Sequence, residues 1–337
     1  MLDIAKRIEN LRQEIRRHDY LYYVLSQPEI TDKEYDDLMR KLKSLEDAHP
    51  QLLSADSPTQ RVGGAVSEGF KTVRHKVNML SLDNTYSYNE LKDWDKRVRK
   101  GLGKDVKVEY VAELKIDGVS LSLTYEKASL KIAATRGDGS VGEDVTNNAK
   151  TIRAIPLKLM TDEVKGLIEI RGEVYLDKKE LENINKQREK DGEPLFANPR
   201  NAASGSLKLL DPAIVAKRNL KFFVHSLGEF KAEKIESQWQ YLELAKRWGL
   251  PVNPNNKLCK TLDEVVNFCK SFENKRDKFS YEIAGIVVKV NSFQQQKILG
   301  FTLKSPRWAV AYKFPAHQAT TRVLKINMQV GRTGVIT

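Results

Sequence analysis

Only two cysteines, Cys259 and Cys269, occur among the 337 residues. Two thiols make neither a disulfide framework nor a four-ligand zinc site. The five histidines do not cluster with them in sequence, and a reducing compartment suits such a chain. Long apolar runs are also missing. The longest, such as AGIVVKV at 284–290, are far too short to span a bilayer. The N-terminal MLDIAKRIENLRQEIRRHDY is charged throughout and has no apolar signal core. A soluble, cytoplasmic protein with no membrane partner is therefore expected. There is no internal repeat and no low-complexity tract, and a content of 40% hydrophobic and 30% charged residues excludes wholesale disorder. The length suits roughly two domains that fold without disulfide staples. Acidic residues are too few to balance the basic ones: 57 Lys and Arg against 45 Asp and Glu leave a net charge of +12. An anionic partner follows, nucleic acid first and an acidic membrane surface second, with a basic solvated surface as the alternative.

Hydrophobic periodicity divides the chain. Ile4, Ile8, Leu11 and Ile15 recur at spacings of four, three and four, which is one face of a helix. After Pro28, Thr31 followed by Glu34 has the form of a capping box. Tyr35, Leu38, Leu42 and Leu45 then share a second helical face until His49-Pro50 ends it. The stretch LLSADSPTQRVGGAVSEGF at 52–70 is rich in Ser, Pro and Gly and marks a junction. Beyond it, alternation predicts strands at 119–125, 167–176 and 284–290, and helices are expected over 237–248 and 262–273. Their irregular interleaving favours an α+β fold over a doubly wound sheet. TTRVLKINMQVGRTGVIT, after Pro315, reads as two strands and a turn. Such a pair is not stable alone, so the chain is expected to stop just inside a third domain.

The segment VAELKIDGVSLSL at 111–123 carries the most chemistry. In a strand, Glu113, Lys115 and Asp117 share one face while Leu114 and Ile116 share the other, and Gly118 permits a bend or a close backbone approach. LIEIRGEVYL repeats the pattern, with Glu169, Arg171 and Glu173 against Ile168, Ile170 and Val174. Lys289 and Lys313 sit within apolar runs, and Arg136 follows KIAAT to open RGDGSVGED. Wet strand faces or a satisfied ion-pair network are one reading; a polyanion-binding cleft is the other, which the surplus of cations favours. A lysine partly desolvated among cations has its pKa lowered, and the neutral amine is a nucleophile where the ammonium is not. Lys115 is thus a candidate nucleophile toward phosphorus, with neighbouring Lys and Arg stabilising charge on the phosphate oxygens. Asp32 and Asp36 share a helical face beside Tyr35 and near Tyr22; by themselves they read as acids complementing a helix dipole.

ELKIDG at 113–118 resembles the Lys-x-Asp-Gly motif of the covalent nucleotidyltransferases: DNA ligases, RNA ligases and capping enzymes. Within that group the chain resembles the NAD-dependent bacterial DNA ligases. The likeness rests on HDYLYYV (18–24), ITDKEYDDLM (30–39), DSPTQRVGG (56–64), MLSLDN (79–84), ATRGDGSVGEDVT (134–146), IRGEVYL (170–176), FANPRNAASGSL (196–207), RWAVAYKFPA (307–316) and VGRTGVIT (330–337), in order through essentially the whole chain. The resemblance implies a small helical domain at 1–68 that binds nicotinamide mononucleotide. It implies a nucleotidyltransferase domain with mainly antiparallel sheets at 69–316, and the start of an oligonucleotide-binding barrel at 317–337. It also implies a three-step reaction. Lys115 attacks the α-phosphorus of NAD, forming lysyl-AMP and expelling nicotinamide mononucleotide. The AMP passes to a 5′-phosphate at a DNA nick, and the 3′-hydroxyl then attacks, seals the nick and releases AMP. NAD is consumed as adenylate donor rather than serving redox chemistry, nicked double-stranded DNA is the second partner, and a monomer is expected.

The roles that the resemblance implies fall on matched positions. Glu113 recognises adenine, and His225 can stack on it. Arg136 and Glu173 hold the ribose or neighbouring groups, Lys289 and Lys313 contact phosphate, Ser81 and Leu82 border the pocket, and Asp117 and Glu173 orient hydrated Mg2+. Tyr22 and the run Asp32, Lys33, Glu34, Tyr35 and Asp36 take the nicotinamide end, since carboxylates and aromatic faces suit a pyridinium cation. Four positions depart from or vary within the pattern. Ala284-Gly285 stands where Asp-Gly is usual, Lys208 where Arg is common, and Tyr23 and His225 where aromatic identity varies. The family continues with the barrel, a four-cysteine zinc module, helix-hairpin-helix repeats and a terminal interaction domain. Zinc belongs to those parts, and this chain is expected to bind NAD and self-adenylate but to seal nicks poorly. Rival readings are an NAD-dependent dehydrogenase, from the literal Gly-x-Gly-x-x-Gly match GDGSVG at 137–142, an ATP-dependent ligase, and a non-enzymatic basic DNA-binding module.

Overall fold

A computed structural model describes residues 2–25, 27–61, 69–103, 106–230, 235–315, 322, 324–331 and 334–336. Helix α1 (Leu2–Asp19) runs on into a π-helical turn at Tyr20–Val24, and α2 is Asp32–Ala48. The capping box forms as expected: Thr31 Oγ1 accepts from the Glu34 N–H, and the Glu34 carboxylate accepts from the Thr31 N–H at 2.8 Å. The two apolar faces meet over Ile8, Ile15 and Leu42, all buried, with Leu11, Tyr35 and Leu38 around them. Beneath this small core lies a buried acid. Glu46 accepts from Arg12 Nη2 at 2.6 Å, Ser57 Oγ at 2.7 Å and the Thr59 hydroxyl. Removing one member of a buried pair strands the other charge, so Glu46→Ala is expected to destabilise the helical unit by about 3–5 kcal/mol. Urea unfolding followed by far-ultraviolet circular dichroism measures this as an earlier transition.

The larger body contains β1 (Thr72–Arg74), β2 (Asp83–Thr85), α3 (Tyr88–Leu102), β3 (Tyr110–Ile116), β4 (Val119–Glu126), β5 (Ser129–Thr135), β6 (Val141–Glu143), α4 (Thr146–Thr151) and β7 (Leu167–Tyr175). Then follow α5 (Lys178–Lys190), α6 (Pro199–Leu207), α7 (Pro212–Ala216), β8 (Lys221–Phe230), α8 (Gln238–Arg247), β9 (Lys257–Cys259), α9 (Leu262–Glu273), β10 (Ile283–Val290), α10 (Phe293–Leu299) and β11 (Ala309–Lys313). One sheet has the order β2-β11-β10-β3-β9, antiparallel except for the parallel β2–β11 edge. The second has the order β5-β4-β7-β8 and is antiparallel throughout; β1 and β6 form a small pair. The fold is α+β with a helical N-terminus and mainly antiparallel sheets.

The chain leaves the first sheet at the end of β3 and enters the second at β4, across Asp117-Gly118. A Cβ at Gly118 would lie 2.1 Å from the Val174 carbonyl oxygen, so only glycine permits this crossing. The helical unit docks on the larger body through Arg61. Its guanidinium donates to the carbonyls of Lys150 (3.2 Å) and Ile155 (3.0 Å) and pairs with Asp19 at 3.4 Å. Ser129 Oγ adds a hydrogen bond to Asp56 at 2.6 Å.

The strands expected at 119–125, 167–176 and 284–290 are β4, β7 and β10, and the helices expected at 237–248 and 262–273 are α8 and α9. GDGSVG forms the turn from β5 to the three-residue β6, followed by a six-residue helix. Without a parallel βαβ crossover the segment lacks the geometry of a dinucleotide-phosphate loop, which removes the ground for the dehydrogenase reading. Of the two strands expected beyond Pro315, the described residues show an isolated bridge between Val330 and Ile336; 316–321, 323, 332, 333 and 337 lie outside them. Among the described residues no helix is long and apolar enough to cross a membrane.

Candidate active site

Alternation along β3 turns Leu114 and Ile116 into a hydrophobic core and leaves Glu113 and Lys115 lining a cleft of about 740 Å3 to which both sheets contribute. Its deep end is built around Glu113, which is 3% exposed. The carboxylate accepts from Lys289 Nζ at 2.8 Å and Gln238 Nε2 at 2.9 Å. Lys289 and Gln238 also donate to the His225 carbonyl, at 2.5 and 2.8 Å, which ties β10 and α8 to β8. Burial pushes the Glu113 carboxyl up, and Lys289 opposes that. Burial, and then the charges of Lys289, Arg171 and Lys115, hold the His225 imidazole well below its ordinary value. The ring is thus neutral at pH 7, half-buried, with Nδ1 at 2.9 Å from Ser226 Oγ.

The shallow end is built around Lys115. Strand register places Gly285 of β10 opposite Lys115 on one side and opposite Lys313 of β11 on the other. A Cβ at Gly285 would fall 2.0 Å from the Tyr312 carbonyl oxygen, so no side chain can stand between the two amines. The ladder slips between Ile283 and Gly285, and Ala284 is the extra residue of this bulge. The neighbouring acids are all engaged: Asp117 with Arg200 Nη1 at 3.3 Å, Glu173 with Ser120 Oγ at 2.9 Å, and Glu113 with Lys289. Burial first, then the charges of Arg200 and Lys313, hold the Lys115 amine below its ordinary value against the opposing pull of Glu173 and Asp117. Burial raises the Glu173 carboxyl to about 7.

Ser81, Leu82 and Arg136 border the same cleft. Lys289 does not join Lys313. It pairs across the ladder with Val111, four residues and roughly 13 Å along the strand from Lys115. Arg171 is occupied at the lip, where it pairs with Glu169 at 2.6 Å and donates to the Asn78 carbonyl at 3.1 Å. Lys208 pairs with Glu143.

A second, smaller pocket of about 280 Å3 is lined by the helical unit and by Arg153 of the larger body. Tyr22 and Tyr23 reach it from the π-helical turn, a widening of the helix that recurs at functional sites, and their ring centroids are 4.7 Å apart. Asp32, Tyr35 and Asp36 reach it from the first turns of α2. Tyr35 Oη donates to Asp19 at 2.7 Å, and Arg153, from beyond α4, donates to Tyr35 Oη at 3.4 Å. Lys33 and Glu34 do not line the pocket: Lys33 is exposed, and Glu34 is consumed by the capping box.

The family model of the NAD-dependent DNA ligase adenylation domain matches residues 67–317, and that of the DNA ligase-like N-terminal NAD+-binding domain matches residues 1–63. The chain belongs to the NAD-dependent DNA ligases. It is 51% identical over 335 residues to the DNA ligase of Thermotoga petrophila, covering 99% of this chain and 48% of that protein. It is 53% identical over 335 residues to the DNA ligase of Syntrophobacter fumaroxidans, covering 98% and 50%. The chain thus spans about half the length of the curated relatives it matches. Among solved structures, mycobacterial DNA ligase D complexed with ATP and MES is similar at 13% identity with a TM-score of 0.33, over 61% of this chain and 54% of that one.

In this NAD-dependent ligase chain, the site residues that escaped the sequence reading include Ser120, Arg153, Arg200 and Gln238. Two carry a local signal. Asn198 caps α6 by accepting from the Asn201 N–H at 2.8 Å, with Pro199 at the first helical position, which sets Arg200 in the turn that reaches Asp117. Ser237 caps α8 in the same manner and so begins the helix at Gln238.

Proposed function

We propose that this chain is the adenylate-accepting part of a ligase that consumes NAD, and that Lys115 carries the adenylate. The observation that carries this reading is the partly buried Lys115 amine, flanked by Arg200 and Lys313, with each neighbouring acid bonded elsewhere. An amine held toward neutrality among cations attracts phosphate and can attack it. Its nitrogen bonds to the α-phosphorus of NAD, the bond from that phosphorus to the bridging oxygen breaks, and nicotinamide mononucleotide leaves with the electron pair. Lys313 and Arg200 take the charge that develops on the phosphate oxygens. At the deep end, Glu113 and Lys289 offer the purine an acceptor and a donor, and the neutral His225 ring offers a stacking face. Arg136 and Glu173 hold the ribose, between Ser81 and Leu82 at the border.

Mg2+ is commonly held by one or two carboxylates together with waters and phosphate oxygens. Asp117 and Glu173 fit that role, and among the described residues no group of three or more metal-ligating side chains could enclose a cation directly. These two would hold hydrated Mg2+, which neutralises phosphate charge when bound. The helical unit, residues 1–68, would present the smaller pocket to the nicotinamide mononucleotide half. Its aromatic and acidic walls suit a pyridinium, and this accounts for the use of NAD rather than ATP. Residues 69–316 form the adenylation unit, and 317–337 begin an oligonucleotide-binding barrel. In the whole protein the adenylate would pass to a 5′-phosphate at a DNA nick, which the 3′-hydroxyl then seals.

Incubation with NAD labelled in the adenine, followed by a denaturing gel and peptide mapping, tests the reading. Covalent label on the peptide carrying Lys115 is expected, and label elsewhere or none overturns it. The reaction should also accelerate with pH. Glu173 loses its proton around pH 7, and rising pH also shifts Lys115, held below its ordinary value, toward the neutral amine that attacks. Single-turnover rates should therefore climb from pH 6 to 8 and continue upward until the lysine, itself below its ordinary value, is neutral. Glu173→Gln should remove the step near pH 7 while keeping the rise above it.

A further inference from the structure

His18 lies on α1 one turn before Tyr22 and lines the smaller pocket. It is 6% exposed, and its Nδ1 is buried with no hydrogen-bond partner. Among the described residues Nε2 has no partner either. Buried polar rings are normally satisfied, and one left open against a cavity is a contact kept for a ligand. Tyr22 and Tyr23, at 49% and 41% exposure, stand at the pocket mouth, so His18 forms its floor.

We propose that His18 reads the carboxamide of the nicotinamide ring and so makes this pocket selective for the amide over the acid. The inference rests on the reading of the pocket as the nicotinamide mononucleotide site. The ring nitrogen carries the ribose, which must lead out of the pocket toward the rest of the dinucleotide. With the ring at the aromatic mouth, the substituent on the carbon meta to that nitrogen points inward, to the floor. A carboxamide has both a donor and an acceptor, so it satisfies whichever imidazole nitrogen faces it. The carboxylate of a nicotinic acid ring only accepts, and it would bring negative charge beside Asp32, Asp36 and Glu29, which line the same pocket. Arg153 is placed for the other end of the ligand, the phosphate.

Titration calorimetry of the chain with nicotinamide mononucleotide and with nicotinic acid mononucleotide tests this. The unaltered chain should prefer the amide. In His18→Ala the affinity for the amide should fall about tenfold while that for the acid stays within about twofold, so that the preference shrinks to what the pocket carboxylates alone impose. His18→Leu, which fills the space without a polar atom, gives the same result if truncation disturbs α1. A preference undiminished in either folded variant, or an equal loss of both ligands, overturns the role of His18 and leaves the pocket assignment standing. Failure of the unaltered chain to bind nicotinamide mononucleotide overturns the pocket assignment and this inference with it.

Discussion

Lys115→Ala is expected to abolish covalent capture of adenylate, a fall of at least about a thousandfold, because the nitrogen proposed to bond the phosphorus is removed. The geometry makes this more than loss of a partly buried side chain. Asp117, Glu173 and Glu113 each have a partner other than Lys115, so removing the amine strands no carboxylate. The melting temperature should therefore barely move. A lysine held only for structure would behave in the opposite way, with lost stability and undiminished labelling. Lys115→Arg sharpens the test. A guanidinium keeps the positive charge but cannot be deprotonated in a protein, so NAD should still bind while the covalent step fails. Labelled NAD on a denaturing gel reads the chemistry, and calorimetry with NAD reads binding. Retained labelling in either variant would show that the adenylate goes elsewhere.

The paired substitution Asp32→Asn and Asp36→Asn should lower kcat/KM for NAD in self-adenylation by about a hundredfold. A hydrogen bond to a charged group contributes roughly 1.5–3 kcal/mol, and each 1.36 kcal/mol is a factor of ten. Both carboxylates are exposed at the rim of their pocket, so solvent screening puts the pair at the low end of that range. Asparagine preserves shape and still suits the start of a helix, so α2 should stay folded. Affinity of the larger cleft for AMP should be unchanged, which separates this effect from damage to the adenylation unit. An unaltered kcat/KM would return these acids to the role of complementing the helix dipole.

Both predictions concern residues that the sequence already distinguished, and the reason is local. A strand alternates with period two, so the facing of Glu113 and Lys115 away from Leu114 and Ile116 followed from residue order alone. A helix repeats every 3.6 residues, which put Asp32 and Asp36 on one face, and the capping box placed the start of α2 to the residue. Lys33 and Glu34 show the limit of that reasoning. They lie within the same motif, yet helical geometry takes them off the pocket wall and spends Glu34 on the cap.

The sequence by itself determined the α+β class, the helical beginning, the main strands and the shared facing of Glu113 and Lys115, because each depends on contacts between near neighbours in the chain. Tertiary structure decided how the charges pair. Lys289 went to Glu113 rather than to Lys313 because antiparallel register, a long-range property, set it four residues up the ladder from Lys115. Arg200, Gln238 and Arg153 entered their sites from helices and loops whose positions depend on how two sheets and a helical pair pack. No periodicity encodes that packing; it is resolved only when the apolar faces are buried together.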